Sequence, residues 1–203
     1  MLSEEIAKGL LNVQAIQINM KEYFTWTSGL KSPIYCDNRL TMSYPTLRQK
    51  ITQGFIEKIS AFNFKPDIIA GCATAGIPHA AWLADALNLP MIYVRSSPKK
   101  HGKGNQIEGS FKHGQQVIII EDLISTGGSS INVANVLRDA GLDVLGVFGI
   151  FTYGLMKAKE NFSKAGISYE TLTNFDQLIE ALEDELGRSE RRELIQWRKM
   201  LDE

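Results

Sequence analysis

The chain has 203 residues, of which 44% are hydrophobic, enough for one folded core but not for two independent domains. Its formal net charge of -1 gives no overall attraction to nucleic acid. The first residues lack the basic and apolar regions of a signal peptide, and no apolar run approaches the roughly 20 residues that cross a bilayer. With only two distant cysteines, Cys36 and Cys72, these features predict a reduced, cytoplasmic protein without membrane contact.

Helix-like and strand-like segments alternate along the chain. Ser3 to Leu11 predicts a short helix that Ser3 could cap, and Tyr23 to Asn38 predicts an antiparallel hairpin outside the main sheet. Pro45 to Ser60 predicts a helix with one apolar face. The further predicted strands are Asp67 to Ala70, Met91 to Arg95, Val117 to Asp122, Asp143 to Thr152 and Ser168 to Leu172. The further predicted helices are Ile77 to Asn88, Ser129 to Ala140, Leu155 to Ala165 and two that begin near Asn174 and Ser189.

This alternation is typical of an α/β fold with a mostly parallel central sheet flanked by helices. We expect a single domain over residues 1–203. The longest stretch without periodicity is Ser96 to Gln115, and long irregular segments in compact domains are usually functional.

The most informative segment is VIIIEDLISTGGSS, from Val117 to Ser130. Backbone N–H groups of residues 125–129, together with the positive end of the following helix dipole, form a cradle for a phosphate. The adjacent carboxylates of Glu121 and Asp122 would repel that phosphate unless the ligand also carries hydroxyl groups that can donate to them. The ligand that satisfies both demands is a phosphorylated sugar.

Two common nucleotide-binding motifs are absent. A Walker A loop needs a lysine and then Ser or Thr directly after its second glycine, and neither glycine cluster has that order. The dinucleotide motif G-x-G-x-x-G is also missing.

A second loop of small residues, Gly71 to Gly76, follows the strand that ends at Ala70 and precedes a helix. In a parallel sheet this loop shares the carboxyl edge with the phosphate cradle, where α/β sheets bind ligands. It predicts a second anion site, although tight helix packing alone would also favour small residues.

A third segment, from Arg95 to Gly109, places four cationic side chains and one histidine among three glycines. We interpret it as a mobile loop that closes over a highly charged ligand. Cationic donors there would stabilise negative charge on a leaving group, and His101 could donate a proton.

The Val117 to Ser130 segment resembles the phosphoribosyl pyrophosphate (PRPP) motif of the type I phosphoribosyltransferases. The basic segment, including His101 to Gly104 and Ile107 to Gly109, is similar to the catalytic loop of the orotate phosphoribosyltransferase family. The run from Phe24 to Tyr35 resembles the family's hood, a small lid over the base. We expect the hood to comprise about residues 1–40 and the C-terminal helices.

The resemblance implies transfer of 5-phosphoribose from PRPP to orotate, giving orotidine 5'-monophosphate and pyrophosphate in pyrimidine biosynthesis. The catalytic residues it implies are Lys99, His101, Glu121 and Asp122. The residues it implies for PRPP binding are Arg95, Lys99, Lys100, His101, Lys103, Glu121, Asp122, Leu123, Ile124, Ser125, Thr126, Gly127, Gly128, Ser129, Thr74, Ala75 and Gly76.

Orotate is a flat pyrimidine that carries a carboxylate, so its site needs an apolar slot with a nearby cation. We assign Lys31, Tyr35 and Ser125 to orotate. Many relatives have an arginine after the strand that ends near Thr152, whereas this chain has Tyr153 and Gly154. Many also have a lysine directly after the arginine that opens the loop, where this chain has Ser96.

The implied cofactor is Mg²⁺, carried in with the diphosphate rather than held by a protein cage. The implied assembly is a homodimer with shared active sites. Two alternatives remain at this stage. One is a purine or uracil phosphoribosyltransferase, and the other is a PRPP-sensing regulator of the same fold that binds nucleic acid.

Overall fold

The structure is a computed structural model, and it describes residues 2–26, 29–62, 65–97, 106–183 and 186–202. The strands are β1 (Ile16–Ile18), β2 (Phe24–Thr25), β3 (Lys31–Ser32), β4 (Ile34–Cys36), β5 (Ile68–Cys72), β6 (Met91–Val94), β7 (Ile107–Glu108), β8 (Gln116–Ile124), β9 (Asp143–Thr152) and β10 (Tyr169–Asn174). The helices are α1 (Leu2–Asn12), α2 (Pro45–Ser60), α3 (Gly76–Leu87), α4 (Gly128–Asp139), α5 (Met156–Ala165), α6 (Phe175–Ala181) and α7 (Arg188–Met200), with a 3-10 helix at Asn38–Ser43.

A six-stranded sheet in the order β10-β9-β8-β5-β6-β7 forms the centre of the molecule. Its pairs are parallel except β6 with β7, which run antiparallel. The predicted α/β fold is therefore confirmed. Parallel strands put the loops that follow β5 and β8 at the same edge, and these two strands are neighbours.

Helices cover both faces of the sheet, which is why its strands are almost continuously apolar. On one face, Ile118 and Ile120 pack with apolar residues of α1, α2 and α3. On the other face, Val117 and Ile119 pack with residues of α4 and α5. This alternation follows the two-residue period of a strand.

The alternation is interrupted at the acid pair. In a regular strand, residues an even number of positions apart face the same side. Ile118 and Ile120 pack in one core, whereas Ile124, four residues after Ile120, packs in the core on the opposite face. The interruption lies between Ile120 and Leu123, and so involves Glu121 and Asp122.

Predicted bounds of the long periodic elements are confirmed, and those of α2 and β9 coincide with the structure. We expected strand β8 to end at Asp122. It continues to Ile124 because β9 also pairs with Leu123 and Ile124. The prediction that Ser3 caps α1 is wrong. Ser3 lies inside the helix, and its hydroxyl contacts the carbonyl of Leu172.

The segment predicted as one hairpin contributes to two small sheets outside the main one. β2 pairs with β3 antiparallel, whereas β4 pairs with β1, a strand that the sequence did not predict. These short strands lie beside the carboxyl edge of the main sheet, where β4 and the 3-10 helix lead towards β8.

Candidate active site

The turn between β8 and α4 has the features of an anion site. Helix α4 begins without a side-chain cap among the described residues, and Gly127 has φ +80°, the left-handed conformation that a glycine adopts without strain. The N–H groups of the first helical turn therefore point out of the helix end towards a ligand.

Helix α5 supports this turn from behind. The Nδ2 of Asn161 donates to the carbonyl oxygen of Thr126 at 2.9 Å. A Cβ at Gly127 would lie 2.4 Å from Cε2 of Phe162, a buried side chain of the core. The turn is thus held in place, and only glycine fits at position 127.

Glu121 is buried, with 6% of its surface exposed, and its carboxylate is already hydrogen bonded. Its Oε2 accepts from the hydroxyls of Ser129 at 2.9 Å and Ser130 at 3.1 Å, and its Oε1 accepts from the N–H of Asp122 at 3.1 Å. Glu121 thereby ties the end of β8 to the first turn of α4.

Asp122 is the more accessible member of the pair. Burial raises the pKa of its carboxyl group to about 7, and the negative charge of Glu121 and a hydrogen bond to it act in the same direction. A ligand whose hydroxyls donate to Asp122 would stabilise the ionised form.

The small-residue loop lies on the neighbouring strand. Thr74 and Ala75 follow β5, and α3 begins at Gly76, where a Cβ would lie 2.4 Å from the carbonyl oxygen of Ile120 in β8. The Ala73–Thr74 peptide bond is cis. The glycine therefore allows α3 to approach β8 closely. The small-residue loop and the turn at residues 125–129, which we call the phosphate turn, thus lie on either side of Glu121 and Asp122.

Arg95 lies at the start of the basic segment. Its Nη1 is 3.5 Å from Oε1 of Glu108, and its N–H donates to the carbonyl of Gln106. These contacts join the two ends of the segment, since β6 leads into Arg95 and β7 lies near the far end. The predicted loop residues Lys99, Lys100, His101 and Lys103 lie outside the described residues.

A cavity of about 710 Å³ adjoins the phosphate turn. It is lined by Thr25, Trp26, Leu30, Tyr35, Cys36, Leu123, Ser125, Thr126, Tyr153, Leu155 and Leu201. The structure thus brings two of the three residues assigned to orotate, Tyr35 and Ser125, to one cavity. It is mostly apolar and large enough for a pyrimidine.

Lys31 flanks the cavity without lining it. Its Nζ donates to Oγ1 of Thr25 at 2.7 Å, and Thr25 is part of the wall. Of the remaining predicted residues, Leu123 and Thr126 line the cavity, whereas the side chain of Ile124 is fully buried in the core. Ile124 can therefore contribute only backbone groups.

Part of the cavity wall could not be found from sequence because it comes from distant segments. Trp26 lies 5.0 Å from Tyr153 and 5.9 Å from Trp197 between ring centroids, and burial raises the pKa of Tyr153. Trp197 also donates from Nε1 to the carbonyl of Lys31 at 3.3 Å. Helix α7 thereby packs against β3 and Trp26.

Two buried polar residues were also missed. Ser130 lies one residue beyond the predicted cradle, and Asn38 donates from Nδ2 to the carbonyl of Asp122 at 2.7 Å. His79 is buried against Thr41 and Trp82, and burial lowers its pKa to about 4.

Comparison with known families identifies the class of protein. The sequence profile of the phosphoribosyl transferase domain family matches residues 43–160, which is more than half of the chain. Five of the six strands of the central sheet, β5 to β9, lie in this region together with the phosphate turn and the adjacent acids, whereas β10 follows it. The fold and the site define a type I phosphoribosyltransferase.

Individual relatives narrow the class. An orotate phosphoribosyltransferase of Oceanobacillus iheyensis is 58% identical over 98% of this chain and 100% of its own length. One of Fusobacterium nucleatum is 53% identical over 99% of this chain and 97% of its own. The crystal structure of the Aeropyrum pernix orotate phosphoribosyltransferase superposes with a TM-score of 0.75 at 27% identity, over 88% of this chain and 98% of that one. The chain belongs to the orotate phosphoribosyltransferase family.

Proposed function

We propose that the protein transfers the 5-phosphoribosyl group of PRPP to N1 of orotate, with inversion at C1 of the ribose and release of pyrophosphate. The observation that carries this proposal is the cavity shared by hood residues and the phosphate turn. A base held by Trp26 and Tyr35 would lie next to a phosphoribose held at Ser125 and Thr126, so the two reactants would meet in one cavity.

Different residues bind the different parts of PRPP. The N–H groups of residues 125–129 bind the 5-phosphate, and Asp122 accepts hydrogen bonds from the ribose hydroxyls. Because both oxygens of Glu121 already accept hydrogen bonds, its main contribution is to hold Asp122 and the turn. Thr74, Ala75 and Gly76 bind the diphosphate from the neighbouring strand.

The basic segment acts on the leaving group. Arg95 lies at its entrance, and Lys99, Lys100, His101 and Lys103 are expected to close over the diphosphate, where positive charge stabilises the charge that develops on pyrophosphate. This role rests on the sequence resemblance, because those four residues lie outside the described ranges.

We expect Mg²⁺ to bind at this site mainly through oxygen atoms of the substrate. Within the described ranges, no group of three metal-binding side chains lies together, and the oxygens of Glu121 are occupied by protein donors. The protein therefore offers few of the roughly six oxygen ligands that the ion requires, and the diphosphate and ribose hydroxyls would supply the rest. When bound, the ion neutralises charge on the diphosphate.

We further propose that the protein is a cytoplasmic homodimer in which the basic segment of one subunit reaches the site of the other. Among the helices of the described ranges, none combines the length and the apolar character that a membrane crossing requires. Support for the dimer comes from the resemblance of the basic segment to the family's catalytic loop.

The decisive experiment mixes the protein with PRPP, Mg²⁺ and orotate and follows the loss of orotate absorbance. Parallel reactions replace orotate with uracil, adenine or hypoxanthine. We expect turnover with orotate only. Efficient turnover with another base and none with orotate would instead assign the protein to a different phosphoribosyltransferase, and tight, salt-dependent RNA binding without any turnover would indicate a regulator.

A further inference from the structure

The peptide of Asp122 lies where β8 loses one of its neighbours. β5 pairs with β8 as far as Gly71 opposite Ile120, and it ends one residue later at Cys72. The chain then turns into the loop at Thr74. Beyond Ile120, β9 is the one strand of the described residues that pairs with β8, and its pairing passes from Glu121 to Leu123 without including Asp122.

Side chains take the place of the missing strand. Oε1 of Glu121 accepts from the N–H of Asp122 at 3.1 Å, and Nδ2 of Asn38 donates to its carbonyl at 2.7 Å. Both backbone groups of Asp122 are therefore held by side chains, which fixes the direction in which its Cα–Cβ bond projects.

Asn38 is itself held rigidly. It is 1% exposed and begins the 3-10 helix, which Asp37 caps by accepting from the N–H of Arg39. The hydroxyl of Thr41 donates to the carbonyl of Asn38 at 2.6 Å and lies 3.3 Å from Nε2 of His79 on α3. The amide thus transmits the position of a packed segment to Asp122.

The oxygen of the Asn38 amide also indicates that the residue is there for its N–H donor. Oδ1 of Asn38 is buried without a hydrogen-bond donor among the described residues. An unsatisfied buried acceptor lowers the stability of the fold, and an apolar side chain of similar size would avoid that loss. What the asparagine provides in return is the donor to the Asp122 carbonyl.

We propose that Asn38 is a positioning residue for phosphoribosyl transfer, which acts by orienting the carboxylate of Asp122. Cys36, two residues earlier on the same segment, lines the base cavity. Asn38 therefore links the wall of the base site to the group that holds the ribose. This inference rests on the proposed function, since it requires that Asp122 contacts the ribose.

A double-mutant cycle tests the inference. Asn38→Ala in the otherwise unchanged protein should lower kcat by about 10- to 100-fold with a smaller change in KM for orotate, because small misplacements of a reacting geometry have effects of this size. In the Asp122→Asn background, Asn38→Ala should lower kcat by no more than about threefold, because the carboxylate through which it acts is gone.

Additive losses would overturn the proposal, since Asn38 would then act independently of Asp122. Near-normal kcat in Asn38→Ala would overturn it as well. If the alanine variant does not fold, Asn38→Asp serves in the same cycle, because it keeps the side-chain volume and replaces the donor with an oxygen. Failure of both variants to fold would assign Asn38 a structural role and reject the positioning role.

Arg138→Ala is the control. Arg138 donates to the carbonyls of Ala165 and Gly166 from the last turn of α4, roughly 15 Å along the helix from the phosphate turn. This variant loses side-chain bonds to backbone carbonyls and should keep its kcat. An unmodified protein without activity on orotate would reject the proposed function, whereas an active one with unaffected Asn38 variants would reject only the positioning role.

Discussion

Asp122 combines two properties that oppose each other in the protein without ligand. Under the proposed function its carboxyl group accepts hydrogen bonds from a ribose, yet burial and the charge of Glu121 raise its pKa to about 7. A carboxyl group whose pKa is higher in the folded than in the unfolded chain adds stability below the unfolded value, near 4, and that stability is lost as the pH rises through 7. The group needed for function thus destabilises the ligand-free fold at neutral pH.

Asp122→Asn should therefore raise the stability of the ligand-free protein and lower its activity. We expect turnover to fall by at least about 100-fold, because the variant loses charge where a cation-like ribosyl centre develops. Without ligand, the variant should melt at a higher temperature than the unmodified protein at pH 8, and the difference should shrink at pH 5.5. Asp139→Asn, at an exposed carboxylate at the end of α4, is the control for the charge change. A melting difference that is the same at both pH values would contradict the assignment.

Gly127 and Gly128 form a matched pair in the phosphate turn. Gly127→Ala places a Cβ against Phe162 at a backbone conformation that alanine disfavours, and should lower the free energy of unfolding by about 2–4 kcal/mol. Gly128 begins α4 with no atom within 4 Å of its added Cβ. Gly128→Ala should leave stability unchanged or raise it slightly. Urea denaturation midpoints measure both, and equal midpoints would show that the turn is not confined by α5.

At the scale of elements, helix α7 completes the base cavity. Trp197 is buried between Phe175, Tyr153 and Trp26, and its indole N–H bonds to the β3 backbone. Leu201, just after the helix, lines the cavity wall. These contacts support our proposal that the C-terminal helices form part of the hood.

Trp197→Ala should destabilise the protein by about 3–5 kcal/mol, the usual cost of removing a buried aromatic side chain. It should also raise KM for orotate more than KM for PRPP, because the loss lies on the base side of the cavity. Trp197→Phe retains much of the packing without the indole hydrogen bond, and should show smaller effects of both kinds. Steady-state kinetics with each substrate varied in turn provide the measurement. Equal changes in both KM values would argue against a specific role in the base site.

The elements also show what sequence could predict. Helix α2 and strand β9 have bounds that match the prediction, because each is long enough to display its period. The pairing of β1 with β4 was not predicted, since three-residue strands carry no recognisable period. The turn around Gly127 could be predicted because its residues are contiguous, whereas Asn38 was not predicted because only the fold brings it to Asp122.

At the scale of the whole molecule, binding of PRPP should stabilise the fold. Free PRPP at 100 times its Kd in the presence of Mg²⁺ should add about 2.7 kcal/mol, or about 5–10 °C in Tm for a chain of this size. The proposed PRPP site includes the loop before α3 and the turn before α4, so its occupation would join elements on opposite faces of the sheet. Differential scanning fluorimetry measures the shift, with orotate alone as the comparison. The absence of any shift with PRPP would contradict the binding site.

The proposed shared active site predicts complementation between inactive variants. Lys99→Ala and Asp122→Asn should each be nearly inactive alone. If the basic segment of one subunit completes the site of the other, random mixed dimers should recover about a quarter of the unmodified activity, because half of the dimers then have one intact site. Mixing after mild denaturation and refolding allows subunit exchange. No recovery in verified mixed dimers would show that each subunit supplies its own loop.

The two cysteines differ in their access to the cavity. Cys36 lies in the cavity wall, while Cys72 is buried within β5. Burial raises the pKa of both thiols, so reagents that need a thiolate should react slowly. A ligand in the cavity would cover the cysteine of its lining, so the slow reaction of Cys36 with a small disulfide reagent at alkaline pH should become slower still and report occupancy.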